Sequence, residues 1–214
     1  MLRVWGRLNS SNVQKVMWTL DELGLAYEHI PAGGDFGIRG TPEFLAMNPH
    51  NWVPVIDDDG TIVWESQAIV RYLAAAHGAG TLWDTDPGRR AYADMWMDWN
   101  ATTLQRDFGA LFWAWFRTPP AQRDQARIAE LQAASDADFG KLDVALAKRP
   151  FLAGDHLTMG DIPAGCMAYR YFNLDLDRPA LPHAQAWFDR LMARPAYRKF
   201  VAIPFEDLRG RLAF

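Results

Sequence analysis

Cysteine is almost absent: the 214 residues contain one, Cys166. That excludes an intrachain disulfide and fits a reducing compartment, so a cytoplasmic protein is expected. An excess of one charge sign is also missing. Lys and Arg number 22 against 26 Asp and Glu, a net charge of −4, with no long basic run. The chain therefore lacks the electrostatic footprint of a nucleic-acid binder. An acidic substrate would have to be held by local groups, because the field of the whole molecule does not favour it. No apolar run approaches the roughly 20 residues that span a bilayer, and the opening "MLRVWGRLNSSN" lacks a signal-peptide hydrophobic region. The five histidines show no metal-ligand spacing, so no metal is expected. No Ser-His-Asp order, internal repeat or low-complexity tract is evident.

What the chain has in quantity is tryptophan, ten residues, several of them in "YADMWMDWNATTLQRDFGALFWAWF". Aromatic core filling is the ordinary explanation for any one of them. Phe112, Trp113, Trp115 and Phe116 circle much of a helix, however, so some are expected to line an apolar pocket or a subunit seam.

The order of elements is readable from periodicity and punctuation. Leu2-Arg3-Val4-Trp5 reads as a strand, followed by helix-start chemistry at Ser10, Ser11 and Asn12. Val13, Val16, Met17, Leu20 and Leu23 then recur every three or four residues, which predicts an amphipathic helix. Gly24 ends it, with Leu25 placed for a Schellman contact. "AYEHIPA" is a second strand, and strand–helix–strand implies parallel pairing by a right-handed crossover. Thr41-Pro42 opens a short helix. "VPVI" and "TIVW" flank "DDDG" as an antiparallel hairpin, and Glu65-Ser66 open a third helix. The result is a compact α/β domain over residues 1–78. A Gly/Thr/Asp/Pro linker follows over 79–86, and a helical domain over 87–214. The first long helix is expected from about 87 to 116 and the next from about 122 to 147. Within "FLAGDHLTMGDIPAG", Thr158 and Asp161 read as a structural helix-opening pair.

Three places gather polar groups at the edge of the small domain. Ser10 follows the first strand at a helix N-terminus, where free N–H groups and the dipole favour an anion. It reads as a cap or as a hydrogen-bond donor to a thiolate or oxyanion. Pro54 cannot donate to a sheet ladder, and a cis bond there would leave the N–H and C=O of Val53 free to pair with an extended peptide. Glu65 suits an ammonium group, and the helix start at Ser66 suits a carboxylate. Together they make a receptor for an amino-acid head joined to a short peptide, and glutathione fits all three.

"NSSNVQKVMWTLDELGLAYE", "NPHNWVPVIDDDG" and "WESQAIVRYLAA" resemble the N-terminal domain of soluble glutathione S-transferases, and "FLAGDHLTMGDIPAG" resembles their helical-domain capping segment. The resemblance covers essentially the whole chain. It implies a thioredoxin-like α/β domain, an all-α helical-bundle domain, a homodimer, and a cis-proline at Pro54. It also implies glutathione as co-substrate and a detoxifying transferase acting on a small hydrophobic electrophile. Val53 and Pro54 then meet the cysteinyl part of glutathione, Glu65 and Ser66 the γ-glutamyl part. The first strand lacks a terminal tyrosine and no cysteine lies near Ser10, so Ser10 matches the serine of theta- and delta-like members. Ser11 and Asn12 are rivals, because some bacterial relatives use an asparagine at this turn in disulfide chemistry. Asn51 stands where relatives often carry Gly or a basic residue, yet it tolerates left-handed backbone and can still donate. Arg39 is a second source of charge there, and His50 is the one histidine beside the site. Phe108, Phe112 and Trp115 are expected to line the electrophile pocket, and Cys166 to be a buried small hydrophobe. A glutathione-dependent disulfide reductase is the second enzymatic reading. A non-catalytic binding or scaffold protein is the reading from another class.

Overall fold

The computed structural model describes residues 1–212. Four strands form one mixed sheet in the order β2-β1-β3-β4. β1 (Leu2–Trp5) pairs parallel with β2 (Tyr27–Ile30), as the crossover rule requires, and antiparallel with β3 (Val55–Asp58). β3 returns through Asp59-Gly60 into β4 (Thr61–Trp64). Side chains alternate across the pleat. Val4 and Ile56 join the large core under the helices, while Trp5 and Val55 join a small second core with Phe44.

α1 (Ser11–Glu22) crosses between β1 and β2. It ends in a Schellman motif: the Leu25 N–H donates to the Leu20 carbonyl at 3.0 Å and the Gly24 N–H to that of Asp21 at 3.2 Å. Gly24 takes the required positive φ of 64°. α2 (Pro42–Met47) begins under the Thr41 cap, and α3 (Ser66–His77) packs on α1.

α1 is more deeply set than one apolar stripe suggests, since every residue from Val13 to Leu20 is buried. Its second face carries the helical domain. Trp18 is fully buried against Tyr197, ring centroids 4.8 Å apart edge-on, a burial that stabilises by about 2–3 kcal/mol. The Trp18 ring also approaches Gly165 so closely that a Cβ there would lie 2.8 Å from it. At the rim, Arg194 donates both prongs of its guanidinium to Glu22 at 2.7 and 2.5 Å.

The helical domain runs α4 (Pro87–Trp99), α5 (Gln105–Leu111), α6 (Gln125–Leu146), α7 (Asp161–Asn173), α8 (Pro182–Met192) and α9 (Pro195–Phe200). The single long helix expected over 87–116 is instead interrupted twice by i→i+5 turns, at Asn100–Leu104 and Phe112–Arg117. The first places Asn100 against α3, where it accepts from Gln67 at 2.9 Å. Asp161 is structural: its carboxylate accepts from the N–H of Leu152 and Thr158, the Thr158 hydroxyl and the Trp187 indole at 2.8–3.3 Å. Burial raises its pKa against the pull of those donors. Among the described residues no helix is long and apolar enough to cross a membrane.

Candidate active site

The site lies where β1, the loop before β3 and the start of α3 face α5 and α7. Val53–Pro54 is a cis peptide, and β3 begins only at Val55, so Pro54 sits ahead of the ladder. Among the described residues nothing hydrogen-bonds to the Val53 N–H or C=O. Braces elsewhere hold the loop. Asn51 has φ 59°, its side-chain oxygen accepts from the Gly40 N–H at 2.7 Å, and its carbonyl accepts from Arg39 Nε at 2.6 Å. Asn48 Nδ2 donates to the Trp52 carbonyl at 2.9 Å. Trp52 is exposed, with the Arg39 guanidinium 4.4 Å above its ring. His50 packs on Trp64 at 4.8 Å and does not line the cleft.

Glu65 holds a positive φ of 68°, a conformation that costs a non-glycine residue about 1 kcal/mol or more and often marks a functional turn. Its carbonyl opens α3 by accepting from Ile69, and its exposed side chain stands beside the unpaired first-turn N–H groups. Glu65, Ser66, Val53, Pro54 and Asn12 surround a cavity of about 120 Å³.

Ser10 is the N-cap of α1 by backbone geometry, yet its hydroxyl makes no capping bond. Ser10, Ser11, Asn12 and Val53 open onto a larger cleft of about 390 Å³. Asn12 alone among the three belongs to both cavities. Its side-chain oxygen accepts from Lys15 Nζ at 2.9 Å and faces the Ser66 hydroxyl at 3.4 Å. That fixes the amide so that its NH₂ group is the end left to donate. Lys15 is fully buried and also donates to Gln105 at 2.5 Å. Burial pushes its ammonium down to about 8, with Glu65 opposing and Arg170 adding to the shift. Below it Cys166 is fully buried, and burial pushes the thiol up to about 12 against the pull of Lys15 and Arg170. Such a thiol is inert.

The far wall of the larger cleft comes from the helical domain. Phe112 lines it, with Phe108 in the neighbouring cavity of about 320 Å³; both are almost fully buried. Trp115 does not line either cavity: it lies under the Arg123 guanidinium, 4.5 Å away. Trp113, 42 % exposed, takes that place. The reason is the i→i+5 turn, which uses one more residue per turn than an α-helix and shifts the phase of every side chain after Phe112.

Of the arginines at the site, the sequence pointed only to Arg39. Arg7, Arg39, Arg117 and Arg170 all line the larger cleft, and no carboxylate among the described residues does. Arg7 donates to Asn9 Oδ1 at 2.5 Å, Arg170 to the Asn9 carbonyl at 2.8 Å and Arg117 Nε to the Arg211 carbonyl at 2.7 Å. Arg117 and Arg170 are buried, and burial, with the positive charge of Arg7 nearby, lowers both to about 10. Lys15 left one legible trace, three residues after Asn12 on an otherwise apolar face; Arg7, Arg117 and Arg170, far apart along the chain, left none.

The chain matches known proteins over most of its length. Residues 6–81 match the family described as glutathione S-transferase, N-terminal domain, and residues 93–195 the corresponding C-terminal domain. The chain is 47% identical over 206 residues to glutathione S-transferase GstB of Escherichia coli (strain K12), covering 95% of this chain and 99% of that one. It is 30% identical over 220 residues to glutathione S-transferase 3 of Zea mays, covering 94% and 93%. Among solved structures, the theta class glutathione S-transferase from the citrus canker pathogen Xanthomonas axonopodis pv. citri, with glutathione bound, matches with a TM-score of 0.91 and 46% identity. That match covers 95% of this chain and 98% of the other.

Proposed function

The chain belongs to the glutathione S-transferase family, and from that premise we propose that it binds glutathione, converts its thiol to the thiolate and directs the thiolate at a small electrophile. The peptide's cysteinyl unit pairs with the free backbone of Val53. Its γ-glutamyl ammonium meets Glu65, and the adjacent carboxylate meets the N–H groups at Ser66. The glycyl end lies toward Asn51 and Arg39. The observation that carries the reading is Asn12, held by Lys15 between the two cavities with its NH₂ group free to donate. Asn12 is the principal donor to the thiolate, and the unused hydroxyl of Ser10 is the second.

The energy scale is adequate. Lowering a thiol from about 8.5 toward neutrality needs about 1.4 kcal/mol per pKa unit. One hydrogen bond to a charged group contributes about 1.5–3 kcal/mol, and the start of α1 adds its dipole. The thiolate then attacks the electrophilic carbon, forming C–S as the leaving group departs with its electron pair. The apolar body of the electrophile rests on Phe112 and Trp113.

Ultraviolet absorbance of the thiolate of bound glutathione against pH tests this in wild type, Asn12→Ala and Ser10→Ala. Formation near neutral pH, lost in Asn12→Ala and weakened in Ser10→Ala, is expected. Full retention in Asn12→Ala with loss in Ser10→Ala would reverse the two roles. Binding with no thiolate in any of them would leave a carrier.

The position of Asn12 also favours a second activity, reduction of small disulfides by glutathione. Turnover of a mixed glutathione disulfide faster than that of an aryl halide would make it the main one. A homodimer accords with the exposed apolar side chains of Ile62 on edge strand β4 and of Tyr92 and Met95 on α4; light scattering on the purified chain decides it. A cytoplasmic setting accords with the lone, buried Cys166.

A further inference from the structure

We propose that Gln105 is a second catalytic donor: its side-chain NH₂ bonds an oxygen conjugated with the carbon that the thiolate attacks, so that the protein adds glutathione to α,β-unsaturated carbonyl compounds. This rests on the transferase reading and names a substrate class for it, one that reacts by addition. The observation is a shared clamp. The Lys15 ammonium, fully buried on α1, donates to Asn12 Oδ1 at 2.9 Å and to Gln105 Oε1 at 2.5 Å. An ammonium has donors and no acceptor, so each amide turns its oxygen to Lys15 and its NH₂ away. Among the described residues the Gln105 NH₂ has no hydrogen-bond partner. Asn12 and Gln105 both line the cavity of about 320 Å³ whose apolar wall is Phe108, Phe112 and Met167.

The fold explains why Gln105 stands there. It is the first residue of α5, directly after the i→i+5 turn at Asn100–Leu104 that sets its direction. Lys15 comes from the small domain and Gln105 from the helical one, so the clamp closes only where the two dock. Arg106, on the same cavity, is exposed and pairs with Asp107 at 2.6 Å. Asn12 then serves the sulfur, and Gln105, across the ammonium, serves the oxygen. In the reaction the sulfur bonds to the β-carbon, and the C=C π pair moves to join the α-carbon to the carbonyl carbon. The carbonyl π pair moves onto oxygen, giving an enolate. A donor already aimed at that oxygen strengthens its bond as the charge develops. The α-carbon of the enolate then takes a proton from solvent, which balances the one that the thiol released. Nothing leaves and nothing is oxidised overall.

The test compares benzylideneacetone with benzyl chloride, which carries the same ring and no acceptor oxygen. For each, kcat/KM is divided by the uncatalysed rate constant with glutathione, in wild type, Gln105→Met and Gln105→Glu. Methionine removes both the donor and the oxygen that Lys15 holds. Glutamate keeps an oxygen for Lys15 and removes the N–H. The ratio of the two electrophiles cancels any change in thiolate formation, which both reactions share. That ratio should fall about tenfold or more in both variants, the effect of one hydrogen bond to a charged oxygen. The loss should appear in kcat for benzylideneacetone, because the charge exists only in the transition state. Gln105→Glu, close in shape to the wild type, decides alone if Gln105→Met does not fold. An unchanged ratio would overturn the inference and leave the transferase standing. So would a ratio lost in Gln105→Met and kept in Gln105→Glu, since the hold on Lys15, not the donor, would then matter. Turnover of neither electrophile by the wild type would overturn the transferase reading and this inference with it.

Discussion

Lys15→Met separates what the active-site lysine costs the fold from what it does for the site. The wild-type ammonium is fully buried, and burial lowers it from 10.5 to about 8. At 1.36 kcal/mol per pKa unit, that is a penalty of about 3 kcal/mol for burying the charge. The sign follows from proton counting. Between pH 8 and 10.5 the unfolded chain still holds the proton that the folded chain has released, so stability rises with pH in that window. Below about pH 8 both states are protonated and the penalty is complete. Methionine is of similar length and carries no charge, and the acceptors left behind on Asn12 and Gln105 are on half-buried residues that water can reach. The variant should therefore be more stable than wild type by about 1–3 kcal/mol at pH 7, with the gap closing as pH rises from 8 toward 10.5. Other groups titrate in both proteins and cancel in the difference. Urea unfolding of the pair at pH 7 and pH 10 measures it. The same variant releases the Asn12 amide, so bound glutathione should form its thiolate about one unit higher in pH, from the loss of one well-placed charge-assisted hydrogen bond. A stability difference that stays constant with pH would refute the buried-ammonium argument. An unchanged thiolate titration would refute the positioning of Asn12 by Lys15.

Two further outcomes follow from groups the chemistry does not use. Asp161→Ala leaves the Leu152 and Thr158 amides and the Trp187 indole N–H without their acceptor in a dry interior. The loss should be about 3–5 kcal/mol in a urea melt, and a loss under about 1 kcal/mol would mean that water replaces the carboxylate. Cys166, buried and pushed up to about 12, should not react with an aromatic disulfide reagent at pH 8 until urea unfolds the chain. Rapid labelling of the native protein would show that α7 opens far more readily than its packing on Trp18 allows.

What the sequence disclosed was set by short-range physics. The Schellman end of α1 needs only Leu20, Gly24 and Leu25, and the break before β3 needs only the proline at 54. The turn into α3 needs only Glu65 and Ser66, so each was readable where it stands. The placement of Trp115 failed because periodicity assumes 3.6 residues per turn throughout. Two i→i+5 turns between Asn100 and Arg117 break that assumption, and nothing local in "NATTL" or "FWAWFR" announces them. Arg7, Arg117 and Arg170 were missed for another reason. Arg7 follows β1, Arg117 ends the helical run begun at Pro87, and Arg170 lies near the end of α7. They meet only because α1 is clamped between the sheet and α7. A net charge of −4 said that an acidic substrate would need local groups, and it was silent on whether such groups exist. Packing alone brings the arginines together. Arg170 reaches the Asn9 carbonyl across 161 residues of sequence, so the same docking that buries Trp18 also assembles the positive cleft. Any substitution that loosens the Trp18–Gly165 contact should therefore disturb the wall that carries Phe112 and Arg170 before it affects the glutathione side, whose main elements all come from the first 66 residues.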